Sequence, residues 1–296
     1  MTSITPWQAG RFNAVPGKQR LLFGRMFEDV SIELEAFRGK GRVFSIASAG
    51  CTAIALSAEH DVVACDINPV QLAYAERRLQ GGVIEEGDAD LGMAIARRFG
   101  TLAGWSRQAL TSFTALDDLP YQYRFWQERL DTWRFRQGFD FLLSRPVLGF
   151  AYAPAFLTCL PPNFGAAVRE RLARGLMLHA NATNPYARLL FLGEGQATAI
   201  PGPGQVETVL QDAAGYLESC PPNSFAGFTL SNILDGADAA YRDRLYRAVR
   251  RAAAPDAVVV QRSFGEPGPD VSGNQAALDR NLLWGVVEVR PAVDLR

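Results

Sequence analysis

The sequence predicts an α/β protein with a doubly wound sheet, and three observations point there. A β-rich run, Arg42-Val-Phe-Ser-Ile-Ala-Ser48, passes through the small-residue turn Ala49-Gly50-Cys51 into the helix-compatible segment Thr52 to Ser57. A second run, Asp61-Val-Val-Ala-Cys-Asp66, ends in an acid, after which Asn68-Pro69 opens another helix through Gln71, Leu72, Tyr74, Ala75 and Leu79. Strand-like and helix-like segments alternate again from Val206 onward. With 296 residues, 48% hydrophobic and 21% charged, the chain has material for a large core, which excludes wholesale disorder.

Taken in order, residues 1–40 read as a mostly helical lead-in. Leu21, Leu22, Met26, Phe27, Val30, Ile32, Leu34 and Phe37 recur roughly as one apolar face, and Gly39 and Gly41 end it. Residues 41–84 lay down a βαβα unit, the first part of the core. A third strand should follow quickly, but residues 85–205 read instead as a mainly helical insertion with aromatic faces, Phe99, Trp105, Phe113, Trp126, Trp133 and Phe139 among them. Its arginines are interspersed with acids, which marks solvated helix faces rather than an RNA platform. From Pro146 to Val168, 23 residues pass without a charge, longer than the ~20 that span a bilayer. Pro146, Pro154, Pro161 and Pro162 interrupt that stretch, so it reads as buried, irregular wall and not as a membrane span. The core resumes over 206–296: strands at 206–212, before Ser231-Asn232, at 257–263 and at 282–289, the last forming an antiparallel end, with a helix across 239–253.

Thirty Lys and Arg against 31 Asp and Glu leave a net charge of -1, without the positive field that nucleic-acid binders use. Four scattered cysteines and only two histidines, His60 and His179, give neither a disulfide framework nor a metal set. Pro6, Trp7 and Gln8 stand where a signal peptide needs a basic start and an apolar run, so the expected location is cytoplasmic.

Open α/β sheets bind ligands beyond the carboxyl ends of their strands, near the switch in strand order. Four such ends carry small or polar residues here. Ser48, Ala49 and Gly50 form a turn that lets main chain approach a ligand. Asp66, 16 residues beyond Gly50, suits the two hydroxyls of a ribose, with Asn68 beside it. Asp212-Ala213 can meet the amine of adenine, and Ser231-Asn232 close the set. This describes an adenosine pocket. No glycine cluster follows to cradle a pyrophosphate or triphosphate, so the pattern favours S-adenosylmethionine as co-substrate over NAD or ATP.

The blocks Phe23-Gly-Arg-Met-Phe-Glu-Asp-Val-Ser-Ile-Glu-Leu-Glu-Ala36, Ser45-Ile-Ala-Ser-Ala-Gly-Cys51, Asp66-Ile-Asn-Pro-Val-Gln71 and Leu230-Ser-Asn-Ile-Leu-Asp235 resemble the S-adenosylmethionine:diacylglycerol 3-amino-3-carboxypropyltransferases of betaine-lipid synthesis, the BtaA-like family. The resemblance implies a class I methyltransferase-like Rossmann core that moves the amino-acid arm of the donor, not its methyl group, onto a hydroxyl and releases methylthioadenosine. The acceptor is then diacylglycerol, with peripheral membrane contact, or a small phenol, as for isonocardicin synthase in nocardicin biosynthesis.

A basic group should anchor the carboxylate of that arm, and Arg25 and Arg262 are the candidates. An aliphatic hydroxyl needs a base during attack, for which Glu28 and Asp29 in the lead-in and His179 in the insertion are candidates. A small-molecule O-methyltransferase shares the same pocket, and a non-catalytic module binding S-adenosylmethionine or lipid is the reading from a different class. A GxSxG hydrolase turn is absent.

Overall fold

The protein is described from a computed structural model, which covers residues 6–13, 15, 17–195, 202–268, 271 and 273–296. Residues 196–201 of the expected insertion lie outside the described residues. In chain order the elements are α1 (Pro6–Ala9), α2 (Ser31–Ala36), β1 (Val43–Ile46), α3 (Cys51–Leu56), β2 (Val62–Asp66) and α4 (Pro69–Leu79). The insertion supplies α5 (Asp88–Leu102), α6 (Arg107–Thr114), α7 (Leu119–Phe125) with a π-helical turn to Leu130, α8 (Trp133–Leu142), α9 (Arg145–Leu148), α10 (Pro154–Cys159), α11 (Phe164–Leu176) and α12 (Pro185–Leu192). Then follow β3 (Val206–Leu210), α13 (Ala213–Ser219), β4 (Phe225–Thr229), α14 (Ala239–Ala252), β5 (Ala253–Ser263) and β6 (Val286–Pro291).

The sheet order is β3-β2-β1-β4-β5-β6, with β6 alone antiparallel to its neighbour. Strand order therefore reverses between β1 and β4, where a doubly wound sheet opens its crevice. Successive strand residues feed opposite faces. Phe44, Val63, Cys65 and Phe228 pack with Leu217, Leu245 and Val249 of α13 and α14. Val43, Val62, Ala64 and Val260 pack with Ile32, Leu56, Leu72 and Trp284 on the other side. A parallel sheet covered on both faces explains why β1 and β2 read as almost unbroken apolar runs.

The insertion builds its own core from Trp105, Phe113, Trp126, Phe135, Leu176 and Phe191. These side chains are buried against one another, while Trp133 and Phe141 of the same segment are exposed.

Three expectations need correcting. The lead-in is not mostly helical: α1 and α2 are short, and residues 17–30 form an extended strap. Its apolar residues are used one at a time, and its main-chain groups at Leu22, Phe23 and Gly24 bond to Gln71 and Asp90 rather than to a helical ladder. The uncharged stretch is not simply buried wall. Pro146 and Pro154 sit in the first turns of α9 and α10, where a missing N–H costs nothing, and Phe150 between them is 88% exposed. The last strand begins at Val286, not 282, because Leu282 lies in the left-handed region (φ +72°) and Trp284 turns to donate to the Phe27 carbonyl. Among the described residues no helix is long and apolar enough to cross a membrane.

Candidate active site

Carboxyl ends of β1, β2, β3 and β4 converge on one cleft. Ser48, Asp66, Asn68, Asp212, Ala213, Ser231 and Asn232 all line it, together with Trp7, Gln8, Phe23, Gln71 and Tyr241.

The turn after β1 is strained in a way that serves this approach. Ser48 (φ +43°) and Gly50 (φ +79°) both adopt left-handed backbone, a conformation that costs a non-glycine residue about 1–2 kcal/mol. Ala49 and Gly50 shape the turn without lining the cleft. A Cβ on Gly50 would stand 3.4 Å from that of Ala75, so α4 packs tightly behind it. Ser48 N–H points outward and donates to Asp66 Oδ2 (3.0 Å), while Asn68 N–H donates to Asp66 Oδ1 (2.9 Å). A carboxylate offers about four lone-pair positions, and the N–H groups of Ser48, Ile67 and Asn68 take three of them, which leaves one for a ligand. Burial raises the Asp66 carboxyl to about 6, against the opposing N–H bonds from Asn68, Ser48 and Ile67.

Asn68 caps α4 through Val70 N–H (3.0 Å) and also holds the Arg20 carbonyl (2.9 Å). Asp212 caps α13 through Gly215 N–H (3.0 Å) and takes Arg244 (2.9 Å) on the same oxygen. Its other oxygen accepts from Tyr241 Oη at 2.6 Å. One acceptor position remains on Asp212. Between these two acids the Cys65 thiol donates to the Gln211 carbonyl (3.2 Å), and burial pushes it up to about 12, so it stays protonated and inert.

Gln71 entered the sequence reading as part of a helix and as the end of the Asp66–Gln71 block, without a role of its own. Its Oε1 accepts from Leu22 and Phe23 N–H (3.0 and 3.1 Å) while its Nε2 donates to the carbonyls of Phe23 and Ser48 (2.8 and 2.9 Å). Every hydrogen-bonding position of the amide is filled, and the strap is thereby fastened to the β1 turn. Its place three residues after the Asn68 cap was the available signal, since that position points back over a helix start. The strap then presents Phe23 and Trp7, whose rings lie 6.4 Å apart, as an aromatic wall. Phe12 extends this wall to Tyr152 at 5.2 Å.

Four candidates sit elsewhere. Arg262 is buried among Glu33, Asp279 and the Asp29 carbonyl, so it cannot turn a guanidinium into the cleft. Arg25 faces Asp90 (3.4 Å). Among the described residues no Arg or Lys lines the cleft, which corrects the expected anchors for the donor's carboxylate. Asp29 is fully buried and grips Arg280 twice, at 2.5 and 2.7 Å. Burial works against its charge, but Arg280 and Ser31 outweigh it and hold the carboxyl below its usual range, which suits an ion pair and not a base. His179 of the insertion donates its Nε2–H to the Ala277 carbonyl (2.8 Å), away from the cleft lining.

Glu28 is different. It lies beneath the cleft, and Ser231, itself in left-handed backbone (φ +52°), donates its hydroxyl to Glu28 Oε1. Burial raises the Glu28 carboxyl to about 6 despite the attraction of Arg262. Asn232 is oriented by Asp235 (3.3 Å), which also takes Ser263 Oγ and Phe264 N–H.

Strand order, the antiparallel last strand and a cleft at the switch point define a Rossmann-like fold of the class I methyltransferase type. No family model matches the chain, and no curated protein is similar to it. Among solved structures, the rRNA methyltransferase AviRa from Streptomyces viridochromogenes aligns with 90% of this chain and 83% of its own, at 15% identity and a TM-score of 0.34. So distant a likeness lends no weight to any substrate, and the fold class rests on the strand order itself.

Proposed function

We propose that the protein binds S-adenosylmethionine in this cleft and transfers its 3-amino-3-carboxypropyl group to an acceptor hydroxyl, forming an ether and releasing methylthioadenosine. Asp66 carries the reading: a carboxylate that lines the cleft, fixed by main-chain N–H groups from two strand ends, and keeping one acceptor position for a ribose hydroxyl. The position left on Asp212 suits the adenine amine. A nucleoside so held lies over β2 and β3, and its sulfonium extends toward the switch point between Ser48 and Ser231.

All three carbons on the sulfonium are electrophilic, so the product follows from which one stands in line with the acceptor oxygen, about 3–3.5 Å away. The oxygen bonds to Cγ of the arm, the C–S electron pair stays on sulfur, and the hydroxyl proton departs. Preference for the arm over the methyl group is supported by the resemblance of the four sequence blocks to the aminocarboxypropyltransferases. The acceptor in this reading is a small phenol or diacylglycerol. The Trp7–Phe23 wall supports an apolar partner, and exposed Phe150, two residues before Tyr152, supports contact with a lipid surface.

Mass spectrometry of the spent donor tests this, with a phenol panel and with diacylglycerol in vesicles. Methylthioadenosine is expected. S-adenosylhomocysteine would replace the reading with O-methyl transfer, and saturable donor binding without turnover would replace it with a binding module.

A further inference from the structure

We infer that Ser231 and Glu28 form the proton path of the transfer, Ser231 taking the proton of the acceptor hydroxyl while passing its own to Glu28. The inference rests on the functional reading above and adds the group that activates the nucleophile. Three observations meet at this pair. Ser231 follows β4 at the switch point and lines the same cleft as Asp66 and Ser48. It holds a left-handed backbone that a serine adopts at a cost, and the neighbouring strand end repeats this at Ser48. Its hydroxyl hydrogen is already directed at Glu28 Oε1, so its lone pairs are free for a second hydroxyl.

Glu28 is built to receive a proton. Around it lie Arg262 from β5, Glu33 from α2 and Asp279 from the loop before β6, with Tyr186 of α12 bonded to its carbonyl. With Asp29 and Arg280 alongside, four carboxylates share two guanidinium groups. The local excess of negative charge favours uptake of one proton, and Glu33 and Asp29 are committed to bidentate pairs. In the step, the acceptor O–H bond breaks as the C–O bond forms. The proton moves to Ser231 Oγ, the serine proton moves to Glu28, and Glu28 later returns it to water. Ser231 is the catalytic residue, and Glu28 acts through it.

The test compares the wild-type protein with Ser231→Gly, which suits the left-handed backbone, and with Glu28→Gln, all checked for fold by circular dichroism and for donor affinity by calorimetry. Measured as kcat at saturating donor, so that the affinity change from Asp66 does not enter, wild-type turnover is expected to fall below pH 6, where Glu28 is protonated, and to level off above it. Both variants should bind donor within about threefold of wild type, lose about 10²- to 10⁴-fold in kcat and lose that acidic limb. Folded variants with kcat within threefold of wild type, or with the limb unchanged, overturn the proton path. If wild type yields S-adenosylhomocysteine, the group-transfer reading fails while the same variants still decide the path on methyl transfer. A wild-type protein that consumes no donor with either acceptor overturns both.

Discussion

Replacing Asp66 by alanine separates binding from folding. In the unliganded protein Asp66 is raised from 3.8 to about 6, so keeping it charged at pH 7 costs about 3 kcal/mol. Alanine removes that cost but strips Ser48 N–H and Asn68 N–H of their acceptor, at roughly 1–3 kcal/mol each. These terms oppose, and the variant should melt within a few degrees of wild type at pH 7. The donor loses a charged acceptor for its ribose, worth about 1.5–3 kcal/mol, or roughly 10- to 150-fold in Kd. The sign with pH follows from the raised value: this group favours the folded state below 3.8, and that contribution is lost as pH rises through about 6. Binding needs the charged form, so wild-type affinity should improve about tenfold per unit up to pH 6 and then level off, while the alanine variant lacks that dependence. Isothermal titration from pH 4.5 to 8 measures it. A Kd within threefold of wild type at pH 7, in a folded variant, would refute the placement of the ribose.

Asp29→Asn should destabilise the protein by about 3–5 kcal/mol at pH 7, since Arg280 loses its charged partner. Because Asp29 is held below 3.8, its contribution is present above that value and fades as pH falls further, so urea melts of wild type and variant should converge toward pH 3. Gly24→Ala would place a Cβ 1.8 Å from the Glu85 carbonyl, and the strap should detach, seen as new proteolytic cleavage before residue 30 and weaker donor binding. Phe44→Ala empties a fully buried position under the sheet and should cost about 3–5 kcal/mol in denaturant melts, with the donor affinity of the remaining folded protein unchanged.

The core of the fold was legible because its strands are buried on both faces and end abruptly in polar residues, as Asp66 and Ser231 do. Those strand-end positions meet in one cleft for the same reason: parallel strands bring their carboxyl ends to one rim. What was not legible depends on partners far away in sequence. Glu28 and Asp29 are adjacent acids, yet one bonds Ser231 and the other Arg280, and nothing local distinguishes them. Arg262 looked available because its acidic neighbours Glu33 and Asp279 belong to α2 and to the loop before β6. The strap mimicked a helix because residues spaced three or four apart also suit an extended chain that drops single side chains into separate sockets.

Phe27, Asp29 and Glu33 find their partners 257, 251 and 229 positions downstream, at Trp284, Arg280 and Arg262. During translation Gln71 and Asp90 can therefore hold Leu22 to Gly24 early, while the stretch from Phe27 to Glu33 waits for groups still unmade. A ribosome stalled before residue 262 would carry a chain whose cleft-lining residues are all made, while Phe27, Asp29 and Glu33 still lack Trp284, Arg280 and Arg262.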